Sequence, residues 1–174
     1  MSPSPRLPGV RCGILTASDR VSAGEGRDDS GDFLAEALRA EGAEVLARAV
    51  VPDDADRIAA SLVEMADALR ADLVLTTGGS GVAPRDVTPE ATLRVVEREV
   101  PGIAEAARVA TASRTPLAML SRAVAGIRGR TLIINLPGSP KAVREWMEVI
   151  LPVLRHAVEL LKDSRLEWGR EHRP

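Results

Sequence analysis

Apolar residues in this chain gather into short unbroken runs, separated by longer stretches in which they recur every three or four positions. Residues 10–17 (VRCGILTA) carry no helical stripe and break at Ser18-Asp19-Arg20 and Ala23-Gly24-Glu25-Gly26, which predicts a buried strand entering a long polar loop. Behind Ser30 or Asp32, either of which suits an N-cap, Phe33/Ala37 and Leu34/Leu38 stand four apart. Gly42 offers a left-handed stop, so a helix to about Glu41 is expected. Residues 45–51 read as a second strand closed by Pro52. Ile58, Leu62, Met65 and Leu69 then share one helical face behind Asp53, Asp54 and Asp56, whose charges favour the positive end of a helix.

A third apolar run, residues 73–77, meets Gly78-Gly79-Ser80-Gly81, and Thr88-Pro89 has the form of a cap followed by proline at the first helical position. That helix is expected to reach about Val100. Pro101-Gly102 restarts a helical stretch to about Ala112, and residues 115–129, with turn residues and short apolar pieces, suggest a hairpin. The run 131–136 (TLIINL) reads as a buried strand ended by Pro137-Gly138. Ser139-Pro140 repeats the cap and proline before a helix whose apolar face is Val143, Trp146, Met147, Ile150, Leu154, Val158 and Leu161, with a bend expected ahead of Pro152. Strands alternating with amphipathic helices predict an α/β fold, three layers with a mainly parallel sheet at the centre. Residues 1–9 are expected to be a flexible tail, 10–162 the folded domain and 163–174 a charged tail.

Composition narrows the chemistry. The 174 residues, 45% hydrophobic and 28% charged, fit one soluble domain. The lack of a membrane-spanning or signal-like apolar run points to a cytoplasmic protein with no membrane partner. A formal charge of -2 and only Phe33, Trp146 and Trp168 as aromatics provide neither a basic field nor a stacking platform, so nucleic acid is not an expected partner. Cys12, His156 and His172 are too few for a zinc cage. No GxSxG elbow, P-loop lysine or GxGxxG is present.

In an open parallel sheet, ligands bind beyond the carboxyl ends of the strands. Here those ends read Thr16-Ala17-Ser18-Asp19, Val51-Pro52-Asp53, Thr76-Thr77-Gly78-Gly79-Ser80-Gly81 and Asn135-Leu136-Pro137-Gly138-Ser139. Right-handed crossovers bring them to one edge. Gly78 to Gly81 leave main-chain N–H groups open to an anion, with the Ser80 hydroxyl as a further donor. Ser139-Pro140-Lys141 opens a helix with free amides and a lysine, which suits a second phosphate. Asp53 and Asp86 supply oxygen donors of the kind Mg²⁺ prefers. Each has an ordinary structural reading as well: a Gly-rich turn, a helix cap at Asp53 or Ser139, an Asx turn at Asp86.

Together, Thr76–Gly81, Ala83-Pro84-Arg85-Asp86-Val87-Thr88-Pro89-Glu90-Ala91, Leu120-Ser121-Arg122 and Leu136-Pro137-Gly138-Ser139-Pro140-Lys141 closely resemble the molybdopterin adenylyltransferases. This is the MogA and MoaB group, which includes the G domains of gephyrin. The similarity also takes in Thr16–Asp19, residues 28–31 and Val51-Pro52-Asp53. It implies a homotrimer of molybdenum cofactor biosynthesis that binds molybdopterin and ATP and, with Mg²⁺, transfers AMP to the pterin's terminal phosphate. On this sequence the family's catalytic acids fall on Asp53 and Asp86, with Asp53 also the Mg²⁺ ligand. Substrate-binding positions fall on Ser18, Asp19, Thr77, Gly78, Gly79, Ser80, Gly81, Ser121, Pro137, Gly138, Ser139 and Lys141. Serine stands at position 80 where threonine is commoner. The chain lacks a fused molybdate-insertion domain, so the adenylylated pterin is the expected end product. The alternative is a non-catalytic pterin-binding or scaffolding trimer of the same fold.

Overall fold

The computed structural model describes residues 4–163. Six strands form one sheet in the order β2-β1-β3-β6-β5-β4: β1 Arg11–Ala17, β2 Glu44–Val51, β3 Leu73–Thr77, β4 Arg98–Glu99, β5 Ala125–Arg128 and β6 Thr131–Leu136. β2, β1, β3 and β6 run parallel, whereas β5 pairs antiparallel with β6 and β4 antiparallel with β5. The expected three-layer, mainly parallel arrangement is the one observed.

Strand alternation explains the two cores. Ile14, Leu73, Leu75, Leu132 and Ile134 point to one face, where they meet Leu34 and Leu38 of α2 (Asp29–Ala40), Ala104 and Ala107 of α5 (Pro101–Ala112), and Val143, Trp146 and Ile150 of α6 (Pro140–Lys162). Leu15, Val74 and Ile133 point to the other, against Ile58 and Leu62 of α3 (Ala55–Val63) and Ala91 and Val95 of α4 (Thr88–Val95). Each fully buried leucine or isoleucine here contributes about 1.5–3 kcal/mol of hydrophobic free energy. Among the described residues no helix is long and apolar enough to cross a membrane.

Several local expectations change. The loop after β1 contains a short helix, α1 (Asp19–Ser22), because the Ser18 side chain accepts from Val21 N–H and caps it. Asp28, rather than Ser30 or Asp32, caps α2 through Gly31 N–H at 3.0 Å. α4 stops at Val95, short of Val100, because Val96 turns extended and the chain pairs with β5. Glu97 N–H donates to Ile127 and Val100 N–H to Ala125, each at 2.7 Å. The hairpin expected within 115–129 is displaced: a 3₁₀ turn spans Pro116–Leu120, and the hairpin proper is β5–β6 with its turn at Gly129.

The N-terminal boundary also moves. Residues 4–9, expected as part of a flexible tail, are packed onto the domain: Leu7 is fully buried, its N–H donates to Glu41 carbonyl at 2.8 Å, and Arg6 pairs with the Glu41 carboxylate. A leucine flanked by prolines carries no periodic signal, so only tertiary packing reveals it. Residues 1–3 and 164–174, and with them Trp168 and His172, lie outside the described residues. α6 continues through Pro152 to Lys162, where the lysine ammonium meets the buried Asp72 carboxylate at 2.7 Å. Next to that pair, burial pushes the Cys12 thiol up to about 12, so it serves as a small core residue.

Candidate functional site

The carboxyl ends of β1, β2, β3 and β6 do converge, and two loops meet there at van der Waals distance. β3 ends in Gly78 and Gly79, with φ of +91° and +62°. A Cβ on Gly78 would collide with the Ala17 carbonyl, and one on Gly138 would stand 3.3 Å from Gly78 Cα. Only glycine permits this left-handed turn with a second backbone lying against it. No hydrogen bond among the described residues uses the N–H groups of Gly79, Ser80 or Gly81, so they remain available to an anion.

The loop is held from three sides. Thr88, fully buried at the start of α4, donates its hydroxyl to the Gly78 carbonyl at 2.9 Å and its N–H to Gly79 at 3.0 Å. Thr77 Oγ1 donates to the Pro137 carbonyl at 2.7 Å, and Ser80 Oγ to the Leu136 carbonyl at 3.2 Å. Ser80 is therefore a tie between the β3 and β6 loops, with its proton already committed, and not the spare phosphate donor expected from the sequence. Arg122 supplies the third hold. Its Nε donates to Gly81 carbonyl and its Nη2 to Asp86 carbonyl, both at 2.6 Å, while it pairs with Glu90. That guanidinium holds the Glu90 carboxyl below the usual range.

Asp53 and Asp86 flank this loop. Helix α3 is capped by Asp54, which accepts from Asp56 and Arg57 N–H at 3.0 and 2.9 Å. Asp53 is thus released from the capping role left open by the sequence. It interlocks with Asp19: Asp19 N–H donates to Asp53 Oδ2, and Asp53 N–H to Asp19 Oδ1, each at 3.1 Å. Arg85 reaches across to pair with Asp19. Asp86 Oδ2 accepts from Ala83 N–H, three residues back, at 2.8 Å, and Asp86 N–H donates to the Ala83 carbonyl at 2.9 Å, a reciprocal tie in place of the Asx turn expected, and Oδ1 accepts no hydrogen bond among the described residues. Burial, and then the nearby charge of Asp86, push the Asp53 carboxyl above its ordinary value.

Two clefts open on opposite sides of the Gly78–Gly138 contact. The larger, about 480 Å³, touches Gly79 to Gly81, Asp86, Ser121, residues 137–139 and Lys141, and continues between the apolar residues Leu117, Leu120 and Trp146. The smaller, about 200 Å³, is more polar and is bounded by Thr16, Ser18, Asp28, Ser30 and Gly78. The sequence-expected residues are therefore gathered at one edge yet divided, with Ser18 on one side and Asp86, Ser121 and Lys141 on the other. At the start of α6, Ser139 Oγ accepts from Ala142 N–H at 3.2 Å and Val143 N–H bonds to Ser139 carbonyl, leaving the Lys141 amide and ammonium to meet a ligand.

Sequence reasoning missed the supporting groups. Ser30 Oγ donates to Gly138 carbonyl at 2.8 Å across a separation of 108 residues. Asn135, fully buried, donates to Thr76 Oγ1 at 3.1 Å and Thr92 Oγ1 at 2.8 Å, linking β6, β3 and α4. An asparagine within an apolar run was a usable signal for that network, whereas Arg122, though part of the Leu120-Ser121-Arg122 motif, sits in a segment without periodicity that gave no sign of its role as a tie. Arg122→Lys keeps the charge opposite Glu90 but loses the fork onto two carbonyls. The expected result in steady-state kinetics is an about 10–100-fold fall in turnover with an unchanged circular dichroism spectrum.

A family model described as "Probable molybdopterin binding domain" matches residues 13–156. The molybdopterin adenylyltransferase of Helicobacter pylori (strain J99) is 44% identical over 169 residues, covering 94% of this chain and 94% of that protein. That of Escherichia coli (strain K12) is 43% identical over 141 residues, covering 80% of this chain and 72% of its own length. Among solved structures, the molybdopterin biosynthesis enzyme MoaB from Thermus thermophilus superposes with a TM-score of 0.83 at 51% identity, covering 87% of this chain and 96% of that one.

Proposed function

This chain belongs to the molybdopterin-binding domain family, and from that membership we propose that it is a molybdopterin adenylyltransferase of molybdenum cofactor biosynthesis, moving AMP from ATP to the terminal phosphate of molybdopterin. The observation that carries the reading is the pair of clefts meeting at an amide-lined ridge between Asp53 and Asp86. A reaction that joins two anionic substrates needs both held at one point, with charge neutralised there.

The chemistry asks little of side-chain bases. A phosphate monoester has a second pKa of about 6 and is largely dianionic at neutral pH. Its oxygen attacks the α-phosphorus of ATP, a new P–O bond forms, and the bond to the β-phosphate oxygen breaks with its electron pair leaving on pyrophosphate. The exposed His156 on α6 is not required. Main-chain N–H groups of Gly79 to Gly81 and the Lys141 ammonium would receive the charge that spreads over the transferring group. Asp53 Oδ1 and Asp86 Oδ1 accept no hydrogen bond among the described residues and form a hard oxygen donor set, so these two would hold Mg²⁺, which when bound neutralises phosphate charge and eases departure of pyrophosphate. Ser18, Asp19, Thr77, Ser121 and Pro137 to Ser139 are read as the surrounding substrate contacts and their supports.

The same reading includes a homotrimer working in the cytoplasm. Exposed Val109, Leu117 and Met119, at 76%, 70% and 72%, are apolar surface suited to contact between copies. Incubating the chain with molybdopterin and MgATP should give adenylylated molybdopterin and one equivalent of pyrophosphate by mass spectrometry and a coupled assay. Recovery of unmodified molybdopterin with no pyrophosphate would refute the reading in favour of a binding module.

A further inference from the structure

Arg85 lines neither cleft and has no part in the chemistry described so far. It belongs to the loop between β3 and α4, immediately before Asp86, and 70% of its side chain is exposed. Its guanidinium has one partner among the described residues, the Asp19 carboxylate on α1. That carboxylate receives Asp53 N–H on its other oxygen at 3.1 Å, and Asp19 N–H returns a bond to Asp53 Oδ2. Arg85 therefore connects the two acids of the site: its own loop carries Asp86, and its partner is interlocked with Asp53.

Stability is a weak account of this connection. An ion pair whose members are 70% and 32% exposed is screened by water and contributes little to the fold. Arg122 is different, since two main-chain carbonyls and Glu90 fix its guanidinium, whereas Arg85 has no main-chain tie. A long cation held by one exposed carboxylate can exchange that partner for a stronger one. A polyphosphate is stronger, because it carries more charge and its oxygens match the guanidinium fork.

The charge balance at the edge asks for such an exchange. A Cβ on Gly79 would stand 3.1 Å from Asp53 Oδ1, and one on Gly81 would stand 2.8 Å from Asp86 Oδ2, so both carboxylates face the glycine loop. With Asp19 they set negative charge around the amides that receive an anion. Lys141 answers it from the larger cleft, and on the Asp53 side Arg85 is the cation already in place.

We propose that Arg85 is a latch for the nucleotide's polyphosphate: it exchanges the Asp19 carboxylate for the β- and γ-phosphates of ATP, where it meets the charge that collects on departing pyrophosphate. The exchange breaks no covalent bond. This rests on the functional reading above and adds the residue that recognises the leaving group. Asp19 and the polyphosphate then compete for one guanidinium.

Calorimetry of the full chain with ATP, pyrophosphate and AMP, in EDTA and in Mg²⁺, tests the exchange. Arg85→Met should lose about tenfold in affinity for ATP and pyrophosphate, with AMP affinity and melting temperature unchanged. Arg85→Lys, which keeps the charge without the fork, should recover part of the loss. Asp19→Asn can still accept from Asp53 N–H but no longer holds the guanidinium. Its gain in pyrophosphate affinity should be about two- to fivefold larger with Arg85 present than in the Arg85→Met background, the excess being the pair given up on binding. Single-turnover transfer at saturating ATP should fall about 10²-fold in Arg85→Met, with pterin affinity kept. Equal losses toward AMP and ATP, the same Asp19→Asn gain in both backgrounds, or a lowered melting temperature at unchanged affinity makes the pair a surface tie and overturns the proposal, leaving the adenylyltransferase reading intact. No binding of ATP or pyrophosphate by the unsubstituted chain, with no adenylylated product, overturns both.

Discussion

Asp53→Asn is expected to lower adenylyl transfer to molybdopterin by about 10³-fold in a single-turnover assay while leaving pterin affinity and fold unchanged. Asparagine is nearly isosteric and can still accept from Asp19 N–H, so the interlock between the β1 and β2 ends survives. What disappears is the negative charge that would hold a divalent cation against the triphosphate. The same residue sets the acid limb of the pH profile. Burial and the charge of Asp86 raise its carboxyl, so protonation, which empties the cation position, begins above the ordinary aspartate value of about 3.9. Raising the Mg²⁺ concentration should move that limb to lower pH, because metal and proton compete for one oxygen.

Stability follows the opposite sign. A carboxyl whose folded value lies above its unfolded value disfavours the folded state when ionised. The penalty is fully present at pH above the folded value and vanishes as pH falls below the unfolded one. Asp53→Asn should therefore melt no lower than the unsubstituted chain at pH 7, with the difference closing toward about pH 4. A wild-type rate in the variant, or a melting temperature several degrees lower at pH 7, contradicts this account of Asp53.

Gly78→Ala is expected to be damaging in both respects: loss of about 2–4 kcal/mol of stability by chemical denaturation and at least a hundredfold fall in transfer. With φ at +91°, an alanine methyl would be driven into the Ala17 carbonyl, at the junction of β1 and β3. The loop could relieve that only by rotating, which would turn the Gly79 to Gly81 amides away from the ligand and break the close contact with Gly138. Gly102→Ala is the control. A Cβ there meets nothing within 4 Å, and it lies in α5, so the change should be neutral or slightly stabilising. Equal behaviour of the two variants would mean that backbone geometry at Gly78 is not what builds the ridge.

The α/β class was legible because strands 73–77 and 131–136 are unbroken apolar runs, and the helices between carry a stripe of period 3.6. The Gly-rich turn and Asp53 were legible because they follow strand ends, where parallel sheets place their ligands, and Asp86 because it lies between that turn and the next helix. Less visible were the groups that make the site rigid. Arg122, Thr88 and Ser30 act through backbone carbonyls far away in the chain, and a carbonyl leaves no mark in sequence.

Chain order by itself determined which segments are strands and helices, and that their loops would share an edge, since hydrophobic period and the handedness of crossovers are local properties. Tertiary structure alone decided the rest: that the edge is two clefts with a backbone ridge between them, that Ser80 ties the β3 and β6 loops, and that Ser30 holds the Gly138 carbonyl. Each of these depends on what lies within about 3 Å in space, and residues 50 or 100 positions apart reach that distance only after the whole sheet has formed.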